Sequence, residues 1–72
     1  MIIMQVLHLK DEYIKLGQAL KAVGLVTSGV EAKAVIQDGQ IIVNNEISRQ
    51  RGKKLYTGDI IDFHGEQIKI EK

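Results

Sequence analysis

The chain has no cysteine, no proline and no tryptophan. Without cysteine there is neither a disulfide framework nor a thiolate metal site, and secreted domains of this size ordinarily depend on such staples. The expectation is an intracellular, cytoplasmic protein. Aromatics are few, Tyr13, Tyr56 and Phe63, which leaves the core to isoleucine, leucine and valine and offers a poor platform for stacking on bases. Long apolar runs are missing too. Met1-Ile2-Ile3-Met4-Gln5-Val6 is apolar but short, without a basic leader or a small-residue cleavage site. It reads as the start of a strand rather than as a signal peptide or a membrane span. With 72 residues the chain can build one domain around one small core, because a domain this short buries only about 60% of the surface its unfolded form exposes. An elaborate active site does not fit that size.

A strong net charge is absent as well: the formal charge is only +1. Its distribution is uneven. Between Lys15 and Lys54 lie seven of the ten cations and three of the nine carboxylates, so this stretch carries +4 and the remainder −3. The cations are Lys15, Lys21, Lys33, Arg49, Arg51, Lys53 and Lys54, set against Glu31, Asp38 and Glu46. Four of them crowd into Arg49-Gln50-Arg51-Gly52-Lys53-Lys54. Such a run alone equally describes a solvated loop, but cations concentrated in one half of a small domain point to a polyanionic partner.

The hydrophobic period changes along the chain. Met4 to Leu9 is short, β-branched and apolar, as in a strand, and Lys10-Asp11-Glu12 breaks it. Leu16, Ala19, Leu20 and Val23 then recur at helical spacing, with Gly24 where a helix would stop. Ser28-Gly29-Val30-Glu31 has the spacing of a capping box, the serine hydroxyl bonding a free N–H while the glutamate reaches back. Ala32, Val35 and Ile36 form the inward face of that second helix, and Asp38-Gly39 ends it. Neither helix is long enough to be stable alone. Strands follow at Ile41-Ile42-Val43 and Glu46-Ile47-Ser48, with Asn44-Asn45 suited to a tight turn between them. Thr57-Gly58-Asp59 is a further turn, and Ile60 to Phe63 and Gln67 to Ile70 are two more strands across His64-Gly65-Glu66. The expected fold is α+β, with two short helices packed on a small antiparallel sheet of about four to five strands. The whole chain, 1–72, forms one domain with no linker or repeat.

The set Leu16-Gly17-Gln18-Ala19-Leu20, Gly24, Ser28, Ala32, Val35-Ile36, Gly39 and Val43-Asn44, followed by Leu55 and Gly58-Asp59, resembles the RNA-binding domain first described in ribosomal small-subunit protein four. It is most similar to the small stand-alone YaaA/YbcJ-like members, in which the domain is nearly the whole chain. The resemblance runs from about Lys15 to Phe63, roughly two thirds of the protein. It implies an alpha-L motif, a helix–loop–helix followed by strands, that presents a basic face to structured RNA, ribosomal RNA first and transfer RNA second. Lys15 takes the place of a basic residue opening the first helix, Ser28 that of the serine opening the second, and Lys33 that of the arginine or lysine after its alanine. Three positions depart from the longer members: Gly29 replaces an arginine, Gly17 an aspartate, and Asn45 the glycine of a turn. Gly29 would leave the start of the second helix open to a phosphate.

Chemistry supports the same partner. The planar fork of arginine matches phosphate or a base edge, and Arg49 and Arg51, alternating in an extended segment, could both address one backbone. Lys53 and Lys54 would act as less directional charges, and Lys33 could pack its stem while its ammonium reaches outward. Lys21 reads as an ordinary exposed helix lysine. The candidate RNA contacts are therefore Lys15, Ser28, Gly29, Lys33, Asn45, Arg49, Arg51, Lys53 and Lys54. With so few aromatics, recognition is expected to use RNA shape and phosphate spacing more than stacking.

Catalysis is not expected. Asp59 and Asp62 would fall on opposite faces of a strand, His8 and His64 lack a third ligand, Ser28 has no neighbouring base, and there is no glycine-rich nucleotide loop. No cofactor or metal is implied, and the module is expected to act as a monomer, with ribosomal proteins as further partners. Two rivals remain from the sequence. One is a ubiquitin-like sulfur carrier, which needs a terminal Gly-Gly where this chain has Ile70-Glu71-Lys72. The other is a protein–protein adaptor that offers the same basic face to an acidic partner.

Overall fold

The computed structural model describes residues 3–72; Met1 and Ile2, where the sequence reading begins its first strand, lie outside the described residues. In chain order the elements are β1 (Ile3–His8), β2 (Ile14–Lys15), α1 (Leu16–Ala22), α2 (Gly29–Gln37), β3 (Ile42–Val43), β4 (Glu46–Ile47), β5 (Lys54–Leu55), β6 (Ile60–Phe63) and β7 (Glu66–Glu71). A five-stranded sheet has the order β1-β7-β6-β3-β4, and β2 and β5 form a separate two-stranded ribbon. The fold is α+β, as the residue pattern indicates. It departs from the expected all-antiparallel sheet at one edge: β1 runs parallel to β7, with Ile3 opposite Glu66 and His8 opposite Glu71. A parallel pair needs a crossover between its strands, and here that crossover is nearly the entire domain, so no local turn signal could announce it.

Each helix needs its partner surface. In α1, Leu16, Ala19 and Leu20 are buried, and Gly24 (φ +78°) reverses the chain after it. In α2, Ala32 and Ile36 point inward, and the Ser28 hydroxyl accepts from the Glu31 N–H at 3.1 Å. The other half of the expected capping box takes a different form: the Glu31 carboxylate accepts from the Thr27 hydroxyl at 3.0 Å. Gly39 (φ +79°) closes α2. Ile61, Ile68 and Ile70 cover the inner face of the sheet and Leu55 adds the ribbon's contribution, all fully buried. Each such side chain stabilises the fold by about 1.5–3 kcal/mol, which lets helices of two turns persist.

The β3–β4 hairpin turns through Asn44 (φ 52°) and Asn45 (φ 70°), with Ile42 opposite Ile47 and Val43 opposite Glu46. Two consecutive residues with positive φ make the tight turn whose twist suits a hairpin. Asn44 also fastens the hairpin to β6. Its Nδ2 donates to Asp59 Oδ1 at 3.0 Å, its Oδ1 accepts from the Ile60 N–H at 3.0 Å, and its own N–H donates to the Ile60 carbonyl at 2.9 Å. Asp59 Oδ2 in turn accepts from the Tyr56 N–H at 2.8 Å, while backbone bonds of 2.8 Å join Gly58 and Asp59 to Ile70. The Val43-Asn44 and Gly58-Asp59 pairs of the sequence pattern are thus one connected fastening. Among the described residues no helix is long and apolar enough to cross a membrane.

Candidate nucleic-acid interface

The basic loop is attached to the start of α1. The first N–H groups of a helix have no partner within it, and here the loop supplies the acceptors: Leu16 N–H donates to the Lys53 carbonyl at 2.9 Å and Gly17 N–H to the Arg51 carbonyl at 3.1 Å. Lys15 N–H donates to Gln18 Oε1 at 3.4 Å. This close approach explains the glycine at position 17, since a Cβ there would lie 2.8 Å from Arg51 Cγ. A second close approach holds the other arginine, because a Cβ on Gly39 would meet Arg49 Nη2 at 2.7 Å. The two arginines therefore pack on different parts of the helical layer, Arg51 at the start of α1 and Arg49 just past the end of α2. The extended alternation read from the sequence does not bring them to one place.

Two hollows result. One, of about 330 Å³, lies where α1, α2 and the loop meet; Lys15, Lys21 and Arg51 line it with Gln18, Gly29 and Gly52, and no carboxylate does. The other, of about 530 Å³, lies beside the hairpin and is lined by Arg49 and Lys53 with Glu46, Ser48 and Gln50. Among the described residues, no cation from Lys15 to Lys54 lies within 4.0 Å of a carboxylate, whereas Lys69 pairs with Glu71 at 3.4 Å and Lys72 with Glu12 at 3.9 Å. Among the described residues, the ion pairs sit outside the basic half.

Of the residues expected from sequence, the structure gathers Lys15, Gly29 and Arg51 in the first hollow and Arg49 and Lys53 in the second. Ser28 is the cap of α2 beside the first. Lys33 is exposed on α2 and lines neither hollow. Asn45 lies at the hairpin tip, in a shallow depression with Asn44, Asp62 and Gln67. Lys54 turns away, its ammonium 4.8 Å from the centre of the Tyr13 ring. Lys21, taken from the sequence as an ordinary surface lysine, belongs to the first hollow. Its spacing in steps of three from Lys15 through Gln18 was the signal available, because such residues share one side of a helix. Among the described residues no cluster of three histidine, aspartate or glutamate side chains could hold a metal ion.

Residues 7–71 match the S4 domain family model. The chain belongs to the S4 domain family. The match extends past the core expected from sequence, residues 15–63, and takes in β7 and the end of β1, which pair in the same sheet. Its relatives include the Bacillus subtilis (strain 168) protein named "Probable ribosome maturation protein RlbA", 37% identical over 59 residues, which cover 82% of this chain and 83% of that one. YbcJ of Escherichia coli (strain K12), named for RNA binding, is 28% identical over 61 residues, 85% of this chain and 87% of the other. The solution structure of E. coli YbcJ, described as revealing an alpha-L motif involved in RNA binding, superposes with a TM-score of 0.69 at 25% identity, covering all of this chain and 90% of that one. This S4 domain has the same alpha-L fold.

Proposed function

We propose that this S4 domain is a non-catalytic RNA-binding module whose target is structured RNA, ribosomal RNA or a ribosome precursor first, and that it serves ribosome assembly or translation in the cytoplasm. The observation that carries the reading is the hollow formed by Lys15, Lys21 and Arg51, three cations without a carboxylate beside the start of α2. Cations gathered without a carboxylate attract a phosphate backbone, whose condensed counterions they displace on binding. The names of RlbA and YbcJ support the same partner. Since Arg49 and Arg51 face separate hollows, they address different phosphates, which suits a folded RNA presenting two backbone segments.

Crosslinking in cells, followed by sequencing of the recovered RNA, tests this directly, with an Arg49/Arg51/Lys53/Lys54 charge-removal variant as the control. A ribosomal or transfer RNA footprint that vanishes in the variant is the expected result. Recovery of an acidic protein without enriched RNA would replace the reading with that of an adaptor.

A further inference from the structure

The ribbon of β2 and β5 has a face that the basic hollows do not account for. Ile14 pairs with Leu55 and Lys15 with Lys54. Leu55 is fully buried and Ile14 half-buried, while Lys15 and Lys54 are exposed, so the two lysines stand directly opposite each other on the outer face. Like charges in that position repel, and among the described residues no carboxylate lies within 4.0 Å of either. Just beyond the Ile14–Leu55 pair stand Tyr13 and Tyr56, whose ring centroids are 6.0 Å apart and which remain 37% and 46% exposed. The Lys54 ammonium lies 4.8 Å from the centre of the Tyr13 ring, which joins the tyrosines to the lysines' side of the ribbon. Residues far apart in sequence thus bring a square of two lysines and two tyrosines to one end of the ribbon.

We propose that this square holds one unpaired nucleotide of the RNA, with its phosphate between Lys15 and Lys54 and its base against Tyr56. An anion relieves the repulsion of the lysine pair. Lys54 already covers a face of Tyr13, so Tyr56 is the ring with room for a base. Lys54 reaches the Tyr13 ring, and that ring lies 6.0 Å from Tyr56, so a phosphate on the lysines and a base on Tyr56 fall within the span of one nucleotide. Lys15 also lines the α1–α2 hollow, so the chain of phosphates continues from the square to Arg51. The inference rests on the RNA-binding reading and specifies the part of the RNA that the ribbon takes.

The site carries its own reporter, since the chain has two tyrosines and no tryptophan. The probes are a short RNA hairpin with one bulged adenosine, the same hairpin fully paired, and inorganic polyphosphate, each added at low salt with free tyrosine as an absorbance control. Fluorescence anisotropy of the labelled hairpins gives affinity. The bulged hairpin should quench tyrosine emission and bind more tightly than the paired one. Tyr56→Leu should weaken the bulged hairpin about tenfold and remove its advantage, whereas Tyr56→Phe should stay within about twofold, as ring stacking requires. Lys54→Gln should lower the salt slope by about 0.7. Equal binding of both hairpins without quenching, or an equal loss for both in Tyr56→Leu, overturns the nucleotide site while leaving RNA binding in place. Equal quenching by polyphosphate overturns the base contact. If neither hairpin binds at low salt, the RNA reading fails and this inference fails with it.

Discussion

Two polar regions of this S4 domain are built on opposite terms. At the junction of β3 and β6, Asn44, Asp59, Ile60 and Tyr56 share their donors and acceptors at 2.8–3.0 Å. In the hollow between α1, α2 and the loop, Lys15, Lys21 and Arg51 have no carboxylate among their neighbours. The first region stabilises the protein by saturating its own groups, and the second keeps its charge for something else. A group that bonds several partners leaves them all unsatisfied when it is removed, whereas the exposed cations of the hollow remain solvated and leave no partner behind. Mutations in the two regions should therefore separate into losses of stability and losses of binding.

The largest expected effect falls on the fastening. Asp59→Ala removes the acceptor of both the Tyr56 N–H and Asn44 Nδ2, at about 2 kcal/mol. Thermal melts should shift down by about 10 °C, with affinity for a fully paired hairpin, which does not use the Tyr56 ring, unchanged well below the melt. A loss of affinity there would break the distinction. Arg51→Ala is the converse experiment. It keeps the backbone carbonyl that receives Gly17 N–H, so stability should move by less than about 0.5 kcal/mol, while the salt slope of RNA binding drops by about one unit. Titrations at several salt concentrations read it.

Ser28 caps α2 beside the hollow, and its stabilising bond can be separated from the charge at that edge. Ser28→Ala removes the bond to Glu31 N–H and should cost about 1 kcal/mol in urea denaturation. Ser28→Asp restores the cap but sets a carboxylate at the hollow's edge, so it should fold normally and bind RNA less well. If both variants bind alike, charge at this edge does not matter. A smaller effect belongs to Gly17→Ala. Its Cβ would sit 2.8 Å from Arg51 Cγ, near the base of that side chain, so Arg51 must shift, and the gain in helix propensity, at most about 1 kcal/mol, offsets only part of that displacement. Melts should show a small loss of stability while binding weakens, and unchanged binding would show that the position of Arg51 is not critical.

What the sequence made legible was local. Ser28 as a cap, Gly24 and Gly39 as stops, and Asn44-Asn45 as a turn are each decided within a few residues, and the structure places all of them as expected. The inward faces of both helices and of β7 followed from period alone. Three features did not follow, and they share a cause. The parallel pairing of β1, the two-residue strands β2 and β5, and the separate seats of Arg49 and Arg51 all depend on contacts between distant segments. A strand of two residues has no period to detect. Composition likewise could not reveal that Tyr13 and Tyr56 meet beside a ribbon, since their contact joins segments far apart in sequence.

The parallel edge has a consequence in time. Hairpins such as β3–β4 can close as soon as their few residues exist, on a scale of about microseconds. β1 cannot find its place that way, because the strand it pairs with comes at the other end of the described chain. Until β7 arrives, one of the longest strands waits with its backbone unpaired and with Met4 and Val6, which stay exposed even in the finished sheet, open to other chains. Large loop closures slow folding more than they weaken the product. During synthesis, then, the helices and the hairpin can assemble early, and the edge that completes the sheet is set last.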